Sequence, residues 1–103
     1  MKLKKTIRGF KRGEFKDADN TECSIQESSA CGAYIWLGVN KVDAQFLAKD
    51  AKKVGVATDR TLGWIQYPIP PEVSLFSRMH LSQKQVKKLL PLLTHFAEHG
   101  VLP

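Results

Sequence analysis

Residues 74–93 read SLFSRMHLSQKQVKKLLPLL, and within this stretch an extended segment gives way to a helix. Ser82 and Gln85 have the spacing of a capping box, in which each side chain binds the backbone N–H of the other residue. Leu81 and Val86 flank the cap as a hydrophobic staple. The sequence therefore predicts a helix that begins at Ser82 and ends at Gly100, where glycine suits a left-handed C-cap.

This C-terminal helix carries one apolar stripe, and Pro91 inside it predicts a kink because proline donates no hydrogen bond to the carbonyl of Lys87. The stripe consists of Val86, Leu89, Leu90, Leu93, Phe96 and Ala97. We expect the helix to pack on a sheet. The predicted core contains Ile35, Trp36, Leu37, Leu89, Leu90, Leu93 and Phe96.

The residues before this stretch predict an antiparallel sheet. Residues 15–26 alternate apolar and polar side chains around the turn residues 17–20, which is typical of a β-hairpin. Residues 31–39, CGAYIWLGV, predict a buried strand with Trp36 as a core anchor, although a tryptophan can also stack on a ligand. Two further extended segments, GWIQYPI and EVSLFSRMH, are separated by prolines that favour a turn.

Between these segments, residues 43–55 predict a short amphipathic helix. Asp43 is a suitable N-cap, Leu47, Ala51 and Val54 share one helical face, and Gly55 ends the pattern. The predicted fold class is α+β: an antiparallel β-sheet with a short middle helix and a C-terminal amphipathic helix.

The net charge of +6 is concentrated at the N-terminus. Residues 1–12 hold six basic residues and no acidic one, whereas residues 13–103 carry ten of each sign. We therefore predict a basic flexible tail over residues 1–12 and a single α+β domain over residues 13–103. Binding of nucleic acid through the tail is the less favoured alternative.

Chain length and apolar content limit where the protein works and how it holds a ligand. No apolar run is long enough to span a bilayer, which predicts a cytosolic protein with Cys23 and Cys31 as reduced thiols. A chain of 103 residues leaves little room for an enclosed cavity. Any ligand pocket is therefore expected between subunits.

Arg78 and His80 lie just ahead of the predicted helix start, where free N–H groups and the helix dipole favour an anion. The sequence predicts a phosphate or carboxylate site there, with an Arg78–Glu72 ion pair as the alternative. For His80, a structural role at the strand end is favoured over a catalytic one. The segment QESS, Gln26 to Ser29, is either a simple turn or a set of polar groups for a ligand.

Patterns typical of enzymes are absent from the sequence, which contains no Gly-rich phosphate loop and no nucleophile elbow. His95 and His99 have the i, i+4 spacing of metal ligands, but no third ligand accompanies them. We therefore expect no catalytic residues, no cofactor and no metal.

Three blocks of the chain resemble small phage proteins of the first family of Thoeris anti-defence proteins. The blocks are FKDADNTECSIQESS, YIWLGV and SRMHLSQKQVKKLLPLLTHFAEHG. The resemblance implies an antiparallel sheet with C-terminal helical segments, assembly into homodimers or larger homo-oligomers, and sequestration without cleavage of the cyclic ADP-ribose isomer made by a bacterial immune TIR enzyme. It also implies binding of cyclic oligonucleotides by some members, and a place in the cytoplasm of the infected bacterium.

The resemblance carries few site residues over. Only Arg78 and its neighbours Phe76 and Ser77 lie in a block that can be matched to the family. Two segments depart from the family pattern: the turn DADN stands where an Asn-Gly type turn is expected, and residues 43–55 resemble an insertion. Site residues from the middle of the chain are therefore not assigned from the resemblance. The full predicted ligand-binding set is Phe76, Ser77, Arg78, His80, Gln26, Ser28 and Ser29. The alternatives are a phage inhibitor that binds a host defence complex, as anti-CRISPR proteins do, and a small nucleic-acid-binding protein.

Overall fold

The structure, a computed structural model, describes all residues from 1 to 103 and consists of two units. The first unit contains Met1–Asn40 and Ser77–Pro103, and the second contains Lys41–Phe76. The single domain predicted over residues 13–103 thus contains parts of two compact units, because the segment between two strands of the main sheet forms a body of its own.

The strands are β1 (Leu3–Lys5), β2 (Lys11–Lys16), β3 (Glu22–Glu27), β4 (Tyr34–Val39), β5 (Gln45–Leu47), β6 (Trp64–Gln66) and β7 (Arg78–Ser82), and helix α1 spans Gln83–His99. The first unit is a five-stranded sheet in the order β1-β2-β3-β4-β7, and every neighbouring pair is antiparallel. The predicted α+β class with an antiparallel sheet is confirmed.

Residues 1–12 are not a flexible tail. Strand β1 pairs with β2, and Lys4 lies opposite Arg12. The connecting turn is closed by hydrogen bonds from the amide of Thr6 to the carbonyl of Phe10 (2.7 Å) and from the amide of Gly9 to the carbonyl of Thr6 (2.9 Å). The basic composition hid the strand, because an outermost strand with one solvated edge tolerates lysine and gains solubility from it.

The predicted hairpin is confirmed in β2 and β3. The carboxylate of Asp17 accepts hydrogen bonds from the amides of Asp19 and Thr21, both at 2.9 Å. Asn20 takes a left-handed conformation with φ of 66°, which asparagine tolerates well in turns.

The sheet has two different faces, because successive side chains of a strand point to opposite sides. The apolar face consists of Cys23, Ile25, Ile35, Leu37, Met79 and Leu81, and the polar face of Arg12, Ser24, Gln26, Trp36, Arg78 and His80. Trp36 thus lies opposite to its strand neighbours Ile35 and Leu37. Its predicted place in the apolar core is wrong.

Helix α1 is capped as the sequence predicts. Ser82 and Gln85 form the capping box, and Gly100 adopts φ of 75° at the C-cap. The helix continues through Pro91, but none of its residues is buried. The prediction that its leucines and Phe96 lie in the core of the chain is therefore wrong. Neither α1 nor any other helix combines the length and apolarity needed to cross a bilayer.

The second unit is built on the antiparallel pair β5 and β6. The predicted middle helix over residues 43–55 is wrong: the segment holds strand β5, a 3₁₀ turn at Ala48–Asp50 and further turns. Phe46 and Ala48 are the buried pair, so burial follows the two-residue period of a strand. Asp43 caps no helix; its carboxylate accepts hydrogen bonds from the side chains of Gln45 and Gln66.

Candidate functional site

Two arginines from different strands converge on one side chain at the centre of the polar face. Arg12 of β2 donates from Nη1 to Oε1 of Gln26 at 2.7 Å, and Arg78 of β7 donates from Nη1 to the same oxygen at 3.0 Å. Arg78 also lies 3.4 Å from Oγ of the fully buried Ser24. Gln26 therefore holds two guanidinium groups side by side.

Arg78 reaches these partners by crossing strand β4 at Gly38. The register places Ser24, Gly38 and Arg78 in one row across three strands. Gly38 has φ of 149°, and a Cβ atom there would lie 3.1 Å from both the Cα of Arg78 and the carbonyl oxygen of Ser77. The missing side chain leaves the space through which the guanidinium of Arg78 extends.

The positive charge of this arginine pair is poorly neutralised. Within the first unit Arg78 takes part in no ion pair, and its predicted alternative partner Glu72 belongs to the second unit, so that pairing stays a prediction. Arg12 has Glu14 at 3.4 Å, but that carboxylate is largely exposed and screened by water. Partial burial, and then the charge of Arg12, lower the pKa of Arg78 below its ordinary value. An anion bound beside the two guanidinium groups would oppose this lowering of the pKa, because an opposite charge favours the charged form of arginine.

An aromatic stack lies next to the arginine pair. His80 stacks on Trp36 with ring centroids 4.0 Å apart and planes at 17°, and on Tyr34 at 5.0 Å and 27°. The guanidinium carbon of Arg78 lies 5.7 Å from the centre of the Trp36 ring, within cation–π range. Planar apolar surface and positive charge are thus presented together.

Ser28 joins the stack through its hydroxyl, which lies 2.8 Å from Nε2 of His80. Serine beside histidine is the beginning of a nucleophile and base pair, but such a pair also needs a group that orients the other ring nitrogen. No side chain binds Nδ1 of His80. The hydroxyl of Ser28 also accepts the amide hydrogen of Ala30 at 3.1 Å, which ties it into a turn. These contacts hold Ser28 and His80 in place beside the stack.

An open groove of about 510 Å³ extends from Trp36 toward the turn between β1 and β2. Gln26 and Ser29 line it on the sheet side, and Arg8 and Phe10 on the turn side, with Arg8 5.4 Å from the Phe10 ring centre. The volume is in the range of small-molecule sites. The groove therefore offers a nucleotide-sized space beside the stack.

The structure brings together four of the predicted site residues: Gln26, Ser28, Arg78 and His80. Ser29 lines the adjoining groove. Ser77 precedes β7 and makes no side-chain hydrogen bond. Phe76 is the last residue of the second unit and is 93% exposed.

The structure does not place Arg78 at the helix start, where the sequence predicts an anion site. Arg78 and Ser82 are the two ends of β7 and lie four positions apart, about 13 Å at the rise of an extended chain. The amide of Gln85 is already bound by the Ser82 hydroxyl, and the amide of Gln83 by the carbonyl of Ala33. The cations gather over the sheet and not over the helix dipole.

Sequence reasoning missed Arg12, which was assigned to the tail, and Tyr34, Trp36 and Ser24. A signal was present for three of them: Ser24 shares the alternation of Gln26, and Tyr34 and Trp36 alternate with Ile35 and Leu37. This pattern assigns the two aromatic rings to the face opposite the aliphatic side chains.

The histidines of α1 are separate from this site. The rings of His95 and His99 lie 4.6 Å apart, and Nδ1 of His95 lies 2.9 Å from the carbonyl of Val101. No third histidine, cysteine or carboxylate joins them in a metal-binding group.

Comparison with protein-family models, with curated proteins and with solved structures found no match for the chain. The chemistry of the polar face is therefore the basis for an assignment. Guanidinium pairs bind phosphate through charge-assisted hydrogen bonds, and flat aromatic surfaces stack on bases.

Proposed function

We propose that the polar face binds a phosphorylated nucleotide. The observation that carries the proposal is the pair of guanidinium groups of Arg12 and Arg78, held on Gln26 without an adequate counter-charge beside the Trp36–His80 stack. In this arrangement the phosphates bind the arginines, and the base stacks on the indole ring. Neither group alone would favour a nucleotide over a simple anion or an apolar ligand.

The resemblance to the first Thoeris anti-defence family narrows the ligand class to cyclic ADP-ribose isomers, with cyclic oligonucleotides as further ligands. On this proposal the protein acts in the cytoplasm of an infected bacterium as a phage-encoded sponge. It captures the immune signal and holds it intact, which blocks Thoeris immunity. A cyclic ADP-ribose carries two phosphates and a purine, which matches two arginines beside an aromatic surface.

A second candidate is a single-stranded nucleic acid, and one observation favours it. Lys2, Lys4 and Arg12 line a groove of about 430 Å³ with Glu14, which continues the basic surface from the arginine pair to the β1 edge. Basic residues interleaved with aromatic rings on a sheet are typical of single-strand binding. The two candidates share Trp36 and Arg12, and they differ in whether Lys2 and Lys4 contribute.

Isothermal titration calorimetry with cyclic ADP-ribose, its isomers and a short single-stranded oligonucleotide tests the proposal. Capture of a scarce signal requires binding near nanomolar, about −12 kcal/mol. Arg78→Ala should weaken capture by about 2–5 kcal/mol, as expected when a charge pair loses one partner. Arg78→Lys should recover only part, because lysine offers a point charge in place of a planar fork.

Arg60→Ala is the matched control, since Arg60 is an exposed arginine of the second unit whose guanidinium donates one hydrogen bond, to the carbonyl of Leu62. It should bind like the wild type. The ligand released by heat should have the mass of the ligand added, whereas an altered mass would show that the protein cleaves the ligand. Unchanged affinity in a folded Arg78→Ala variant would contradict the proposed site. Binding of a host defence complex in place of any nucleotide would support the inhibitor alternative.

A further inference from the structure

The last turn of α1 carries two histidines on one side of the helix. His95 and His99 stand at i and i+4, a spacing that places two side chains next to each other on a helix surface. Their ring centroids lie 4.6 Å apart with the planes at 50°, so the rings are close without being stacked flat. His95 is half-buried and His99 is exposed. The pair lies outside the polar face, and the proposed function gives it no role.

The separation of the two rings is that of two imidazoles bound to one metal ion. Metal–nitrogen bonds of about 2.0–2.1 Å, at an angle of about 90–110°, would hold the ring centres roughly 4.5–5.2 Å apart. The observed 4.6 Å lies at the lower end of this range, where the two bonds are nearly perpendicular. Perpendicular ligands suit a tetragonal ion such as Cu²⁺ or Ni²⁺, whereas Zn²⁺ in structural sites is tetrahedral.

A hydrogen bond already sets the position of the proton on His95. Its Nδ1 lies 2.9 Å from the carbonyl oxygen of Val101, which can only accept a hydrogen bond. The neutral ring therefore carries its hydrogen on Nδ1 and leaves the lone pair of Nε2 free. Histidines that bind metals are oriented by such a bond from the other ring nitrogen. His95 is thus held in a tautomer that can bind a metal.

The charge around the pair also favours a cation. The C-terminal end of a helix carries the partial negative charge of its unpaired carbonyl groups, and α1 ends at His99. The carboxylate of Glu98 lies 3.8 Å from Nε2 of His99, which is too far for a hydrogen bond but close enough to attract a cation. Nε2 of His99 is therefore available to a metal ion.

We propose that the last turn of α1 binds a divalent transition-metal ion of the Cu²⁺ or Ni²⁺ type. Nε2 of His95 and a ring nitrogen of His99 are the two protein ligands, and water fills the other positions, since no third protein ligand is in place. This proposal revises the expectation of no metal, which rested on the missing third ligand. The bound ion links successive turns of the helix and so stabilises its end.

Calorimetric titration of the untagged chain with Ni²⁺ tests the site. A Cys31→Ser background is used, because the exposed thiol of Cys31 is another candidate ligand. One ion should bind per chain. His95→Gln and His99→Gln should each weaken binding by about tenfold or more, the scale on which metal sites respond to the loss of even an outer partner. Circular dichroism checks that both variants keep the fold. Absence of saturable binding, or unchanged affinity in either folded variant, would overturn the proposal.

A variant with the same number of histidines tests their spacing. His99→Gln combined with Ala97→His moves the second imidazole to i+2, where it no longer faces His95. This double variant should bind Ni²⁺ as weakly as His99→Gln alone. Binding equal to that of the wild type would overturn the proposal, because it would show that histidine content and not the pair captures the ion.

Nuclear magnetic resonance locates the ion directly, because the chain has only three histidines. Paramagnetic Ni²⁺ should broaden the ring signals of His95 and His99 before those of His80. Broadening of the His80 signals first would place the ion on the polar face and would contradict the proposed site.

Discussion

The two faces of the main sheet are built from the same strands, yet they differ in how many of their side chains have partners within the chain. On the polar face, each functional side chain has a partner: Arg78 and Arg12 share Gln26, and His80 stacks on Trp36. On the apolar face and on the α1 stripe, side chains that would normally be buried remain partly exposed. The polar face is thus organised within one chain, whereas the apolar surfaces are not fully covered within it.

The difference follows from the range of the interactions. Hydrogen bonds and ring stacking reach across one or two strands, so a single sheet can organise them. Burial of apolar area needs a second layer, and a sheet with one unpacked helix provides none. Each prediction below changes one side of this comparison and leaves the other in place.

The largest effect is expected on the apolar side, at Leu93. Leu93→Ala should lower the free energy of unfolding by about 2–5 kcal/mol, because truncation of a buried leucine loses apolar contact and leaves a cavity. The burial would be that of the homo-oligomer that the family resemblance implies, since Leu93 is 57% exposed in a single chain. Urea unfolding at high protein concentration measures the change.

Leu62→Ala is the control for this measurement, because Leu62 is 82% exposed and belongs to the second unit. It should change stability by less than about 0.5 kcal/mol, as surface substitutions usually do. Should Leu93→Ala be equally mild, the stripe would be solvent-exposed in solution as well, and the contrast between the two faces would disappear.

The elements that the sequence predicts best are those fixed by local chemistry. The capping box at Ser82 and the turn at residues 17–20 depend on side chains within a few positions of each other. Strand β1 was missed because three residues rich in lysine carry no alternation to detect. The middle helix was wrongly predicted because Leu47, Ala51 and Val54 have a helical spacing. The residues that are buried in the structure are instead Phe46 and Ala48.

The next prediction concerns the passage of Arg78 across β4. Gly38→Ala should cost about 1–3 kcal/mol of stability, since it combines an unfavourable φ with a new Cβ atom against the backbone of β7. It should also weaken nucleotide binding by moving Arg78 away from Gln26. Thermal unfolding and calorimetry on the same sample measure the two effects.

Gly55→Ala separates conformational strain from steric contact. Gly55 has φ of 71°, but a Cβ atom there would meet nothing within 4 Å. Gly55→Ala should lower the stability only by the cost of placing alanine at a positive φ, and it should bind nucleotide normally. Equal behaviour of the two variants would show that the space at Gly38 has no role in the site.

A smaller effect is expected from the aromatic stack. Trp36→Ala should weaken nucleotide binding by about 1–3 kcal/mol, the usual contribution of one base stacked on an aromatic ring. Trp36→Phe should retain part of the affinity. Both variants should keep the fold, because Trp36 lies outside the apolar face.

Fluorescence gives an independent readout. The chain has two tryptophans, and Trp64 belongs to the second unit. In a Trp64→Phe variant the remaining signal comes from Trp36, and a stacked base should quench it. Binding without quenching would place the base away from the indole.

The site itself was only partly predictable, because its parts are distant in sequence. Gln26 meets Arg12 and Arg78 across separations of 14 and 52 residues. The residue types at positions 26, 28, 78 and 80 suggested polar recognition, but only the strand register shows which of them meet. The register also brings in Arg12 and Trp36, which their local sequence assigned to a tail and a core.

The smallest effect is expected at the β1 edge, and it separates the two candidate ligands. Lys4 lies opposite Arg12 on the polar side of the sheet, is fully solvated and belongs to the basic groove. Lys4→Ala should change the affinity for cyclic ADP-ribose by less than about twofold, because exposed charges are screened by water and salt. For a single-stranded oligonucleotide the same change should reduce the slope of log affinity against log salt by about 0.7, the share of one phosphate contact. Affinities for both ligands, measured at several salt concentrations, decide which of the two candidates binds the polar face. A reduced slope together with weak binding of every cyclic nucleotide would assign the polar face to nucleic acid, whereas an unchanged slope would restrict ligand contact to the arginine pair and the stack.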